Sequence, residues 1–159
     1  LGIDLSVDSI YYTQHTVWSI SEDLSASFAE YIGMEIRSPT WDIFPYEKVK
    51  GLCQQLSANG CRLTPTSGLH FHFSGPSYIK LDFLEEKTLR EISKRLFQLG
   101  KPHKERAKFC DPLGTKGTKR CALRQVADTH WECRVFNASF NVDEIKRDFD
   151  LMRKVLDDY

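Results

Sequence analysis

The chain has 159 residues, enough for one well-filled core but short for two, so residues 1–159 are read as a single domain. Its 22 Lys and Arg balance 22 Asp and Glu, which removes any general attraction to nucleic acid or an anionic membrane and leaves charged partners to local recognition. No run approaches the roughly 18 apolar residues of a membrane span, no secretory signal pattern is present, and the expectation is a cytoplasmic protein.

Thr16–Ser21 and Tyr31–Arg37 alternate with a period of two and are expected as strands. From Pro45 to Leu56, Val49, Leu52, Cys53 and Leu56 repeat at helical spacing, with proline suited to the first turn and Asn59-Gly60 as a stop. Gly68–Ser74 is a third alternating strand. Leu84–Leu99 carries the stripe Leu89, Ile92, Leu96 and Leu99, with Glu85 and Glu86 at the positive end and Gly100 and Pro102 beyond the other. Lys101–Arg124 holds eight Lys or Arg against two acids, is broken by Pro112, Gly114 and Gly117, and reads as a basic loop. Thr129–Phe136 is a fourth strand, and a helix opened by Asn141 and Glu144 places Ile145, Phe149, Met152 and Leu156 on one face. The order implies an α+β fold with a mixed or antiparallel sheet and helices on one face. Cys53, Cys61, Cys110, Cys121 and Cys133 are odd in number and lack CxxC spacing, and so read as reduced thiols that mostly fill the core. Because the chain begins at Leu1 rather than Met, its first residues also fit an excised boundary.

Alternation splits each strand into two faces. Ile32, Met34 and Ile36 oppose Gly33, Glu35 and Arg37; Leu69, Phe71 and Phe73 oppose His70 and His72; Trp131, Cys133 and Val135 oppose His130, Glu132 and Arg134. If the strands are neighbours, the apolar faces meet the helices and the other face collects Glu35, His70, His72, Glu132 and Arg134. A wet sheet surface is one reading of that face, with Glu132 and Arg134 as a structural ion pair. Zinc on His70 and His72 is another, in need of further ligands. Glutamates beside an arginine suit a third, a nucleoside triphosphate with magnesium, because the metal takes oxygen ligands and Arg forks onto phosphate.

"GMEIRSP" (Gly33–Pro39), "SGLHFHFS" (Ser67–Ser74) and "HWECRVFNASFNVDEI" (His130–Ile145) resemble, in order, the Glu-hydrophobic-x-Ser-Pro, Gly-Leu-His-x-His and Glu-x-Arg-x-Phe motifs of the amidoligase family. "WSISEDLSAS" from Trp18 and "KERAKFC", with Arg106 and Cys110, are similar to two further family segments. These are ATP-dependent carboxylate–amine ligases related to glutamine synthetase and glutamate-cysteine ligase. The resemblance implies a curved sheet backed by helices and amide formation through an acyl phosphate on a glutamyl-like carboxylate, with ATP and Mg²⁺. It implies Glu35, Glu132 and Arg134 as catalytic residues, with Glu35, Glu132 and His70 on the metal. It also implies His70, His72, Arg134 and Arg106 on ATP, and Asp23 and Ser25 on the substrate. The partners implied are small-molecule or peptide carboxylates and amines; a protein partner stays open, and neither nucleic acid nor membrane is expected. The family's first strand, Gly-x-Glu-x-Glu, is degraded or missing: "LGIDLS" offers Asp4 and Ser6 at the two acidic positions, or Leu1–Val7 corresponds to the segment after that strand. Arg37 stands where a smaller residue is usual. A ligase-derived module that binds a nucleotide, peptide or protein without turnover is the alternative.

Overall fold

The computed structural model describes residues 2–7, 18–22, 33–112 and 120–159. Its strands are β1 (Gly2–Val7), β2 (Ser19–Glu22), β3 (Met34–Arg37), β4 (Gly68–Ser74), β5 (Leu123–Ala127) and β6 (His130–Asn137). They form a six-stranded sheet in the order β2-β3-β1-β4-β6-β5. β1 runs parallel to both β3 and β4, and the remaining pairs are antiparallel, so the sheet is mixed, as expected.

The helices are α1 (Tyr46–Ala58), α2 (Glu86–Gly100), the single turn α3 (Lys104–Ala107) and α4 (Val142–Asp157). α1 starts after Pro45, whose missing N–H costs nothing there. α2 ends at Lys101, which adopts a left-handed φ of 45°. α4 is capped by the Asn141 side chain, which accepts from Asp143 N at 2.9 Å; Glu144, expected to complete a capping box, instead accepts from Ser139 Oγ at 2.5 Å. Among the described residues no helix is long and apolar enough to cross a membrane.

The apolar stripes meet one face of the sheet. Val49 and Cys53 of α1, Leu89, Ile92 and Leu96 of α2, and Ile145, Phe149 and Met152 of α4 share a core with Leu69, Phe71, Phe73, Trp131, Cys133 and Val135. All five cysteines are free and four are buried; burial pushes the Cys133 thiol up to about 12. A 3-10 turn at Ile79–Phe83 supplies Asp82, which accepts from Trp131 Nε1 at 2.7 Å, Gln125 Nε2 at 3.0 Å and Thr129 N at 3.0 Å, locking that turn onto the β5–β6 hairpin.

The stretch expected as one basic loop is corrected at both ends. α3 and β5 lie within or across it, and α3 carries Arg106, which is 3% exposed rather than solvated. Its Nε donates to Phe136 O at 2.8 Å, one terminal nitrogen to Arg134 O at 2.7 Å and the other to Thr66 O at 3.4 Å. Burial pulls its pKa down to about 10. The space for this guanidinium exists because residue 68 is glycine: a Cβ there would stand 1.8 Å from Arg106 Cζ.

Gly68→Ala therefore forces Arg106 off its carbonyls or spreads β4 from β6. The expected result is a loss of about 3 kcal/mol in urea unfolding, with Arg106→Ala in the same background adding little further.

Candidate functional site

The alternation places His70 and His72 of β4 on the sheet face turned away from the helices, and the strand register sets their neighbours. Across the sheet, Ser6, His72, Glu132 and Arg124 occupy one row, contributed by β1, β4, β6 and β5. Along β6, His130 and Arg134 flank Glu132 on the same face.

Glu132 is the hub, only 3% exposed. His70 Nδ1 lies 3.2 Å and His72 Nε2 3.5 Å from its Oε1, Arg134 approaches Oε1 at 3.2 Å, and Arg124 Nε reaches Oε2 at 3.1 Å. Burial opposes ionisation of this carboxyl, but the hydrogen bonds from His70 and His72 outweigh it and hold the group far below the usual carboxylate range. His70 moves down from its ordinary value because it is buried, against the pull of Glu132, and therefore sits neutral with its Nδ1–H donated to the carboxylate. An ionised carboxylate can only accept, so the His72 Nε2 facing it carries a proton. His72 Nδ1 and His130 Nε2 share a hydrogen bond of 2.9 Å.

Of the expected site residues, the fold brings together His70, His72, Glu132 and Arg134. Arg106 occupies the space over Gly68 at one end of the same face, with its three hydrogen bonds spent on main-chain carbonyls. Glu35 is on β3, held by Arg37 at 2.6 Å. Since β1 and β4 intervene, Glu35 lies roughly 14 Å across the sheet from Glu132, at about 4.8 Å per strand, and four residues away along it, since Gly2 pairs with Glu35 and Ser6 with His72. Asp23 and Ser25 fall outside the described residues. Arg124 and His130 complete the cluster and were not among the expected site residues. His130 shares the period-two spacing of Glu132 and Arg134, whereas Arg124 lay at the end of a segment read as loop.

This arrangement does not fit the magnesium site expected from Glu35, Glu132 and His70. The two acids are too far apart to share an ion whose oxygen ligands stand about 2.1 Å away, and both oxygens of Glu132 already receive cationic or imidazole donors. Among the described residues no group of three or more His, Cys, Asp or Glu is arranged to hold a metal ion, which applies equally to zinc at His70 and His72. No family model, curated protein or solved structure matches the chain.

Removing the central charge would leave two arginines facing each other. Glu132→Gln is expected to cost about 3 kcal/mol, measured by denaturant unfolding at pH 7. The wild type should lose the contribution of Glu132 as pH falls below the ordinary value of 4.5, because the unfolded chain takes up that proton first. In Glu132→Gln that acid-side slope should flatten.

Proposed function

We propose that the chain is an amidoligase-like domain that uses ATP to join a carboxylate, probed first with glutamyl-like acids, to an amine. The observation that supports this reading is the meeting of His70, Glu132 and Arg134, residues from two of the motifs, within 3.2 Å contacts on one sheet face. In this chemistry a carboxylate oxygen of the substrate takes the γ-phosphoryl group and ADP leaves. The amine nitrogen then attacks the acyl carbon, phosphate departs, and the amine gives up a proton. Arg134 would bind phosphoryl oxygens with its terminal N–H groups, while ionised Glu132 holds it in place and His70 in turn orients Glu132. Asp23 and Ser25 remain proposed substrate contacts. Arg106 contributes fixed positive potential from the end of the face. Magnesium enters this reading only as the counterion of the nucleotide, with phosphate and water oxygens as its ligands, and no step is assigned to it.

The second reading is a module that holds a nucleotide without turning it over. One observation favours it: Glu35 is engaged by Arg37 and Glu132 by its four neighbours, so neither acid is uncommitted.

ADP and phosphate release, followed with magnesium-ATP and a panel of carboxylates and amines, separates the two. The ligase reading expects release that needs both organic substrates and falls at least about tenfold in Arg134→Ala. ATP binding without release transfers support to the module, and an absence of both ends the nucleotide proposal.

A further inference from the structure

The expected two-acid metal site is replaced at its centre by two guanidiniums on one carboxylate. Arg124 contacts Glu132 through Nε, and Arg134 through a terminal nitrogen, at 3.1 and 3.2 Å. At Glu132 itself two cations meet one anion, and Asp4, in register with His70 on β1, brings one further acid to the neighbouring strand. Both side chains are partly exposed, 21% for Arg124 and 19% for Arg134. Among the described residues Arg134 Nε is buried with no hydrogen-bond partner, so the donor capacity of the cluster is not exhausted by Glu132. Arg106, buried over Gly68, adds a further cation at the end of the same face.

A guanidinium has five donors in a fixed fork, and the edge spent on a carboxylate leaves others for a second oxyanion. A carboxylate between two such groups offsets their mutual repulsion and sets their spacing. This is the arrangement of a clamp for a phosphate chain, whose three or more negative charges outweigh the one that Glu132 presents. Ser6 brings no charge to the row of His72, Glu132 and Arg124.

We propose that Arg124 and Arg134, spaced by Glu132, form a phosphoanion clamp that works without a divalent metal, and that Arg124 is one of its binding residues. The inference rests on the nucleotide reading for its ligand class and departs from it over the metal.

The test is calorimetric titration of the full chain with ATP and, separately, inorganic tripolyphosphate, each in excess EDTA and again with magnesium. Both probes should bind in EDTA. Arg124→Ala should weaken them about tenfold to a hundredfold, the loss of one or two charge-assisted hydrogen bonds, and Arg124→Lys should restore part of the loss. Circular dichroism and an unfolding curve check that each variant is folded; Arg124→Gln, which keeps much of the side-chain stem, takes the place of alanine if needed. Binding that appears only with magnesium, or that is indifferent to Arg124 in folded variants, overturns the clamp. ADP release is scored apart from these titrations. Binding in EDTA without turnover sinks the ligase reading and leaves the clamp standing, while turnover with strictly magnesium-dependent binding does the reverse.

Discussion

Glu132 is a charge that the sheet has taken almost wholly out of water, and the structure around it follows from the need to compensate that charge. Its partners come from three strands: His70 and His72 from β4, Arg124 from β5 and Arg134 from β6. A lone buried carboxylate would be strongly unfavourable, and a well-satisfied one roughly offsets its own desolvation. Its larger effect is on register. A slip of one residue of β6 against β4 would turn Glu132 toward the helices and Trp131 and Cys133 toward the face that carries His72, so the charge cluster and the aromatic core select the same alignment. The face that carries the candidate chemistry is thus specified by the same pairing that closes the core.

Arg106 makes a parallel argument at the end of the sheet. The β4–β6 ladder is irregular between Leu69 and Phe71, and the Arg134 and Phe136 carbonyls on the facing strand both accept from the Arg106 guanidinium. An irregular ladder leaves carbonyls in need of donors, and a buried arginine supplies several at once. Gly68 makes room for it. A residue whose basic character suggests a solvated loop is in fact a main-chain strap, and its cationic potential reaches the polar face from a fixed position.

Much of this was legible in the sequence wherever burial is one-sided. The helical stripes of α1, α2 and α4 and the alternation in β4 and β6 each set an apolar face against a polar one, so periodicity locates them to within a few residues. The grouping of His70, His72, Glu132 and Arg134 followed from that same alternation. β5 was not legible: Leu123–Ala127 is a short edge strand with two exposed residues at its end, and its Leu-Arg-Gln-Val-Ala pattern gives little contrast between faces. Missing β5 concealed Arg124, because a residue read as loop has no assigned face. The separation of Glu35 from Glu132 was hidden for a different reason. Alternation states which side of a sheet a residue takes but not the order of the strands, and it is the insertion of β1 and β4 between β3 and β6 that keeps those acids apart.

β1 shows how that order affects the chemistry. The segment Gly2–Val7 is a strand in the middle of the sheet, with Asp4 in register with His70 and Ser6 with His72. On one of the two alignments that the amidoligase resemblance allows, these are the positions of two glutamates; on the other, this segment follows that strand. The residue in register with His72 is a serine, without the charge that a glutamate would carry, and the row continues through Glu132 to Arg124. At that row the balance shifts from acids that attract a metal toward guanidiniums that attract an anion directly. A phosphate group approaching an acid-rich face needs a cation interposed to overcome repulsion, whereas on an arginine-rich face the protein's own donors supply that attraction. Strand order and a residue on the edge strand together place guanidiniums rather than a second acid beside Glu132, and under the proposed clamp a ligand's phosphates would meet this sheet through the arginines themselves.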